Sequence, residues 1–389
     1  MEEFKKYKFG DIVNILDSKR IPLSATQREN RKGIYPYYGA QGIIDYIDDY
    51  IFDGTYLLIA EDGENLKSQK NNIAQIAIGK YWVNNHAHIV ESNGSCDIRY
   101  ICYLLNKIDI SGYITGSAQP KLNQANLQSI ELSLPSLTVQ KRIADYIDLF
   151  DSKISLNRRI NDNLEQQAQA LFKSWFVDFE PFRNGKFVDS ELGMIPEGWK
   201  VVQLGDVTIQ MKDRVGERSD VKVLSPVSTG ELLLSEEYFT KQVYSEDISK
   251  YILVKPNMFA YNPARVNIGS IGRNKNNFDG CVSPVYVVFS CEENYHYFFD
   301  LFRMLPSFKE EVALRAIGGV RQTLKYSDLS MIKTIYPPLY IVLEFNKIME
   351  KLLNIQKMTS MEILNLAEIR DTLLPRLMSG ELKINDLNS

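Results

Sequence analysis

The chain repeats itself. Gly116, Leu122, Leu127, Ile130, Pro135 and Leu137 recur as Gly318, Leu324, Leu329, Ile332, Pro337 and Leu339, each at a constant offset of 202 residues, so the matched stretch holds no insertion. Upstream, Gly10-Asp11 in KFGDIV returns as Gly205-Asp206 in QLGDVT at an offset of 195, and the two globular halves therefore differ slightly in length. A duplicated pair of units, each a strand-rich domain followed by a long helix, implies two equivalent working surfaces.

Residues 5–135 mix short β-branched and aromatic runs (DIVNIL, GIIDYIDDYIF, TYLLIA, IAQIAI, HAHIV) with turn-rich breaks such as EDGENL and ESNGSC. That pattern predicts a strand-rich domain with a few short helices. One such helix is IRYICYLLN, Ile98 to Asn106, and its counterpart is YHYFFDLFRML, Tyr295 to Leu305. Each half then carries a glycine loop and an apolar run ending in proline, IELSLPSL and IKTIYPPL. Proline marks the hand-over to helix.

The spacing predicts a first long helix over residues 138–178. Positions 143, 147, 150, 154, 157, 161, 164, 168, 171 and 175 alternate in steps of four and three and form a coiled-coil seam. Adding 202 gives a second seam of the same phase, from Phe345 and Met349 through Leu373 and Leu377. Two seams on one chain should pair, and the domain between them makes antiparallel packing the economical arrangement. Asn157, Asn161, Gln356 and Thr359 place polar side chains on the seams near mid-helix, where they either fix register or mark a wet stretch of coil. The expected fold is thus α+β: two strand-rich α/β domains, 3–137 and 199–339, and two long antiparallel helical regions, 138–183 and 340–387, related by internal duplication. At ~1.5 Å per residue each helix would span roughly 54–60 Å and would hold the domains at opposite ends of a spacer.

Composition excludes several classes. No apolar run approaches the ~18 residues of a membrane helix, and the start MEEFKKYKFGD has no signal-peptide stretch, which predicts a cytoplasmic protein with no membrane contact. The four cysteines, Cys96, Cys102, Cys281 and Cys291, lack C-x-x-C spacing and read as buried thiols. A net charge of -4 gives no support for nucleic-acid binding, but it averages over faces and leaves room for a local basic groove. No G-x-x-x-x-G-K-[ST] phosphate loop is present. An amino-methyltransferase needs an Asn/Asp-Pro-Pro-aromatic element. In YPPL, Tyr336 to Leu339, tyrosine and leucine stand at the positions that matter, so a strand-to-helix junction is the better reading. His86-Ala87-His88 would put two imidazoles on one strand face as a possible metal pair, but with one other histidine in the chain, packing is preferred and no metal is expected.

The junction GSAQPKLNQANLQSIELSLPSLTVQKRIADYID, the segment LEQQAQALFKSWFVDFEPF, the restart GMIPEGWKVVQLGDV and the closing LAEIRDTLLPRLMSGELKI together resemble the specificity subunit of type I restriction-modification systems over essentially the whole chain. The resemblance implies two target-recognition domains, each reading one half of a bipartite, asymmetric double-stranded DNA sequence, with the helices as a ruler between them. It implies a chain with no catalytic residues and no cofactor of its own. Two methylation subunits would use S-adenosylmethionine to methylate adenine, and restriction subunits would use ATP and Mg to translocate and cleave.

Phosphate neutralisation calls for Lys and Arg on loops, whereas base reading calls for Arg, Asn, Gln or Lys at base edges. In the first domain the candidates are Lys19, Arg20, Arg28, Arg31, Lys32, Tyr38 and Gln41, then Lys67 and Lys70, then Gln119 and Lys121. In the second they are Lys212, Arg214 and Arg218, then Arg265, Arg273 and Lys275, then Arg321, Gln322 and Lys325. The two sets differ, so the target should not be palindromic. ALFKSWFVDFEPF gathers Phe172, Trp175, Phe176 and Phe179, more aromatic surface than one seam can bury, and predicts an exposed partner contact. Leu374, Leu377 and Met378 would form its second copy; the bland reading packs these residues under the neighbouring domain. Two readings of other classes remain at this stage, a DNA-modifying enzyme fragment and a duplicated coiled-coil interaction protein with no DNA role.

The ruler reading makes a prediction. The preferred target should hold a gap of about six to eight unspecified base pairs, with half-site centres roughly one turn apart. Deleting two heptad-matched turns near Asn157 together with their partner near Thr359 should shorten that gap, and an unchanged gap would remove the ruler.

Overall fold

A computed structural model describes residues 4–116, 119–239, 242–266, 269–316 and 323–388. The chain forms two compact units, one of residues 1–158 with 360–389, the other of residues 159–359. The first unit is therefore assembled from both ends of the sequence.

In the first unit, Lys5–Lys8 pairs antiparallel with Glu131–Leu134 and closes the domain at its base. Between them lies a six-stranded sheet in the order Val13–Ile15, Ala87–Ser92, Phe52–Ala60, Ala74–Val83, Lys32–Gly39, Gly42–Ile47. The helix Ile98–Leu105 starts on Asp97, whose carboxylate accepts from the Arg99 and Tyr100 amides and so satisfies two of the free N–H groups at the helix start. Its buried face, with Tyr100, Ile101 and Leu105, shares one core with Leu57 and Ile59 of the sheet and with Ile143 and Ile147 of the long helix that follows. Leu374 and Leu377, from the far end of the chain, complete that core.

The second unit repeats the plan. Lys200–Gln203 pairs with Lys333–Tyr336, and every partner in this ladder is the first ladder's partner displaced by 195 or 202 residues. Two four-stranded sheets replace the single large one. Their orders are Thr208–Met211, Val287–Cys291, Phe259–Tyr261, Ile271–Arg273 and Leu232–Leu234, Lys222–Pro226, Gly280–Val282, Ile252–Val254.

The repeated glycines have a physical reason. A Cβ on Gly10 would lie 3.0 Å from the Gln128 Cβ, and one on Gly205 would lie 3.0 Å from the Ser330 Cβ. The backbone there approaches closely enough for the Gly205 amide to donate to the Ser330 carbonyl at 2.8 Å, which favours the residue with no side chain.

The long helices run Leu137–Phe176 and Leu339–Met378, 40 residues each, or about 60 Å at the usual rise. Just before each, a proline carbonyl is satisfied by a side chain: Pro135 accepts from Gln140 Nε2 and Pro337 from the Tyr295 hydroxyl, both at 2.9 Å. Inside the first unit Arg370 meets Asp151 at 2.6 Å and Asn157 meets Glu362 at 2.9 Å, so the helices are antiparallel there. Inside the second unit the Thr359 hydroxyl bonds to Asn161, and the Phe172 ring lies 6.2 Å from Phe345, the same sense again. All the expected seam positions are buried or half-buried.

Asn157 is the weak point of the seam. It is fully buried, and while its amide nitrogen reaches Glu362, its Oδ1 has no partner. A buried unsatisfied acceptor costs about 1–3 kcal/mol. Asn157→Leu should raise stability by roughly 1 kcal/mol in urea titrations; a loss of stability would show that the polar side chain is better accommodated than its contacts indicate.

Candidate nucleic-acid interface

In the first domain three loops converge. The Leu122 amide donates to the Glu61 carbonyl at 2.8 Å, and the Gly63 amide to the Pro120 carbonyl at 3.1 Å. Thr115 and Lys121 bridge across a tip that turns at Gly116, where φ is +82° and a Cβ would sit 2.2 Å from the Gln119 carbonyl oxygen. Only glycine accommodates that turn. The tip carries Gln119, exposed, while Gln41 lies beside Gly63, its Nε2 4.0 Å from where a Cβ would be. Gln41, Gln119 and Lys121, spread over eighty residues of sequence, are thus brought to one edge of the domain.

Most of the arginines do something else. Arg20 is held by Glu61 at 2.9 Å, Asp17 at 3.3 Å and the Ala87 carbonyl at 2.7 Å. Arg28 pairs with Asp45 at 3.2 Å and lies over the Tyr37 ring. Arg31 pairs with Asp48 and Asp49 and lies over Trp82. Lys32 remains exposed but bonds Asp45 at 2.7 Å, and that hydrogen bond holds the Asp45 carboxyl below its ordinary range. Tyr38 packs edge-on against Tyr81. The basic loop is therefore largely neutralised: of its five candidate contacts, Arg20, Arg28, Arg31 and Lys32 are each paired with a carboxylate. Lys19 and Lys70 are exposed with no ion pair, Lys67 is exposed, and Lys121 is exposed on one side while bonding Glu61 at 3.2 Å on the other.

The second domain keeps the backbone arrangement with different side chains. The Leu324 amide donates to the Pro263 carbonyl at 3.1 Å, which is the Leu122–Glu61 bond displaced by 202 at both ends. Arg265 follows Pro263 and is exposed beside a cleft of about 570 Å³ that Asn262, Tyr244, Tyr251 and Tyr286 also line. The spread of these residues over the sequence hid the cleft from motif reading. Lys212, Arg214, Lys275 and Lys325 are exposed. Arg218 is exposed but bonded to Asp220 at 2.6 Å and Asp279 at 2.7 Å. Arg321 and Gln322 lie outside the described residues.

Arg273 is a correction. It is 5 % exposed and bonds Asp300 at 3.0 Å, with Arg303 on the other carboxylate oxygen at 2.6 Å. Burial would raise the Asp300 carboxyl, but the two guanidiniums outweigh it and bring it down to about 2. This triad ties the strand Ile271–Arg273 to the helix His296–Phe302 and cannot reach a base. Breaking such a buried pair costs more than any exposed one.

The predicted partner patch is likewise corrected. Phe172, Phe176 and Phe179 are 2 %, 5 % and 8 % exposed, packed with Phe298, Phe345 and Trp199 inside the second unit, and Trp175 is half-buried against the same core. Leu374, Leu377 and Met378 are buried in the first unit. The underside of each domain supplies the apolar partners that the helix seam alone could not.

His86 and His88 do not face one metal. His86 is half-exposed on Asp62. His88 is buried, its Nε2 donating to the Leu122 carbonyl at 2.7 Å and its Nδ1 lying 2.5 Å from Asp17. Donor atoms of Asp17, Glu61 and His88 lie within 4.8 Å of one another, but Arg20 and Lys121 already supply the cations there.

The geometry defines a class: a duplicated protein whose two domains each offer a polar loop edge and whose long helices pair within each unit. Residues 1–166 match the family described as type I restriction modification DNA specificity domain. The chain is 28 % identical to the MjaIX specificity subunit of Methanocaldococcus jannaschii over 99 % of its length and 98 % of that protein's. It is 24 % identical to the HindI specificity subunit of Haemophilus influenzae, covering 98 % and 100 %. The fold matches the crystal structure of the type I S subunit from M. genitalium with a TM-score of 0.58 at 14 % identity, over 97 % of this chain and 96 % of that one. Over almost its whole length the chain is thus similar to type I restriction-modification specificity subunits. Among the described residues no helix is long and apolar enough to cross a membrane.

His296, beside the Arg273–Asp300 pair, is brought down to about 4 by its burial and by the Arg273 charge, against the opposing Asp300. Its ring thus stays neutral in the fold where the unfolded chain, titrating at 6.5, takes a proton. Stability should fall as pH drops from about 6.5 toward about 4. His296→Gln should flatten that fall in thermal melts across this range, and an unaltered slope would assign the acid sensitivity elsewhere.

Proposed function

We propose that this chain is the non-catalytic DNA-specificity subunit of a type I complex, reading a bipartite, asymmetric double-stranded target and scaffolding two methylation subunits and the restriction subunits. The observation that carries this reading is the repeated loop anchor: Leu122 on Glu61 and Leu324 on Pro263 share one backbone geometry, while the side chains beside them differ. Two equivalent frames with unlike contact residues suit two unlike half-sites. Residues 3–137 and 199–339 are the recognition domains, and 138–183 with 340–387 are the helical spacer regions. Lys19, Gln41, Lys67, Lys70, Gln119 and Lys121 are the candidate contacts of the first domain. Lys212, Arg214, Arg265, Lys275 and Lys325 are those of the second. Phosphate contacts among them would supply affinity and base-edge contacts the sequence information. S-adenosylmethionine, ATP and Mg would act on the partner subunits.

Co-expression with the neighbouring methylation subunit in a methylation-free host, followed by genome-wide mapping of N6-methyladenine, tests this. The expected result is one bipartite motif with a fixed gap that disappears when this chain is omitted. A stable complex that leaves no motif would overturn the reading.

A further inference from the structure

Among the described residues, the charged cluster beneath the first domain's reading loop has no counterpart in the second domain, although the loop anchor itself is repeated. Four segments meet in it. Asp17 comes from the turn Asp17–Lys19, Glu61 follows the strand Phe52–Ala60, His88 lies in Ala87–Ser92, and Lys121 closes the Gly116 tip. His88 holds the Leu122 carbonyl at 2.7 Å, and Lys121 holds Glu61 at 3.2 Å, so the tip is gripped at two successive residues. Arg20 spans Asp17 and Glu61 and closes the ring. Burial would raise both carboxyls, but Asp17 is held low by His88, the Ile89 amide and Arg20, and Glu61 by Arg20, His88 and Lys121.

In the second domain the acid–base set is not kept: the Asp17 position holds Lys212 and the Arg20 position Val215, 195 residues on, and the other matching positions are uncharged. Strand register aligns Ser92 with Cys291, because Val13 pairs with Ser92 and Thr208 with Cys291, and this places Val287 where His88 stands. Pro263 stands at the Glu61 position and Thr323 at the Lys121 position, 202 residues on. The backbone bond from Leu324 to Pro263 survives without the ions. A bare fold of this kind therefore needs no charged ring to form its loop anchor, which leaves the ring to account for the geometry of the tip.

Resting on the specificity-subunit reading, we infer that Arg20, His88, Asp17 and Glu61 are positioning residues for base reading by the first domain, anchoring the chain at Lys121 and Leu122 so that the neighbouring Gln119 meets one fixed base edge. Lys19 neighbours this ring from the solvent side and is free to meet phosphate, whereas Arg20 acts only through the loop. A loosened tip would still bind DNA through phosphates, but its hydrogen bonds would no longer distinguish one base from another. The second half-site, read by a domain with no such ring, would be untouched.

The test uses the complex with its methylation subunit and the methylated-motif readout. Arg20→Gln and His88→Val, the latter installing the second domain's own residue, should each make one half of the motif degenerate and leave the other half unchanged. The preference for cognate over singly changed sites in that half should fall about tenfold, the size of one good base contact. Arg20→Lys, which keeps the charge but not the fork, should recover part of the preference. Lys121→Gln, an exposed change that keeps the core intact, should give the same one-sided loss to a smaller degree and covers the case in which a buried variant does not fold. Variants that methylate less but keep the wild-type preference in both halves would overturn the proposal, since that is what a merely structural role does. Degeneracy in both halves would overturn it as well. Absence of any motif from the unsubstituted complex would instead defeat the specificity-subunit reading on which the proposal rests.

Discussion

Everything in this chain hangs on one short ladder used twice. Lys5–Lys8 on Glu131–Leu134, and Lys200–Gln203 on Lys333–Tyr336, bring the entry and exit of each domain side by side. A proline follows at once, its carbonyl is taken up by a side chain, and the long helix starts. Whatever happens between the two strands, the helix begins at the same place. That is why the first domain can fill the interval with one six-stranded sheet and the second with two four-stranded sheets while the helical phase stays at 202 residues. The ladder separates the variable part of the chain from the part that must keep register.

The second theme is how cations are distributed. With an overall excess of acid, a DNA-facing surface requires that some lysines and arginines stay clear of carboxylates. The structure sorts them by reach and depth. Arginines sit where a planar fork can bridge two acceptors, as Arg20, Arg28 and Arg273 do, and so serve cohesion. The exposed remainder is mostly lysine, a flexible point charge suited to phosphate, with glutamines at the tips where a base edge would be read. A pair such as Lys32–Asp45, whose lysine is exposed, contributes little to stability.

Duplication, the two seams and the strand-to-helix junctions were legible because each rests on local spacing, and spacing survives without knowledge of what lies across the core. The helix Leu137–Phe176 falls close to the span the seam predicts. What spacing could not show was which distant residues meet. Five cations between Lys19 and Lys32 looked like a DNA surface because the run GIIDYIDDY, legible as a strand, does not by itself show that its acidic residues return beside Arg28, Arg31 and Lys32. Arg273 looked exposed because its partner Asp300 lies 27 residues away on a helix. Phe172 and Phe176 are more apolar surface than the seam can cover, and spacing alone does not decide between a partner and the domain's underside, which supplies Phe298 and Trp199. In each case a tertiary contact overrode a sound local inference.

The composition of the two units also orders events on the ribosome. The second unit is one continuous stretch, residues 159–359, and can close as soon as that stretch has emerged. Most of the first unit is synthesised earlier but lacks Leu374, Leu377, Met378 and Ile384 from its core until those residues are made. The domain translated first is therefore the one that finishes last, and its long-range closure carries the higher loop entropy. Until then it holds an unfilled apolar face, of the kind that favours off-pathway association.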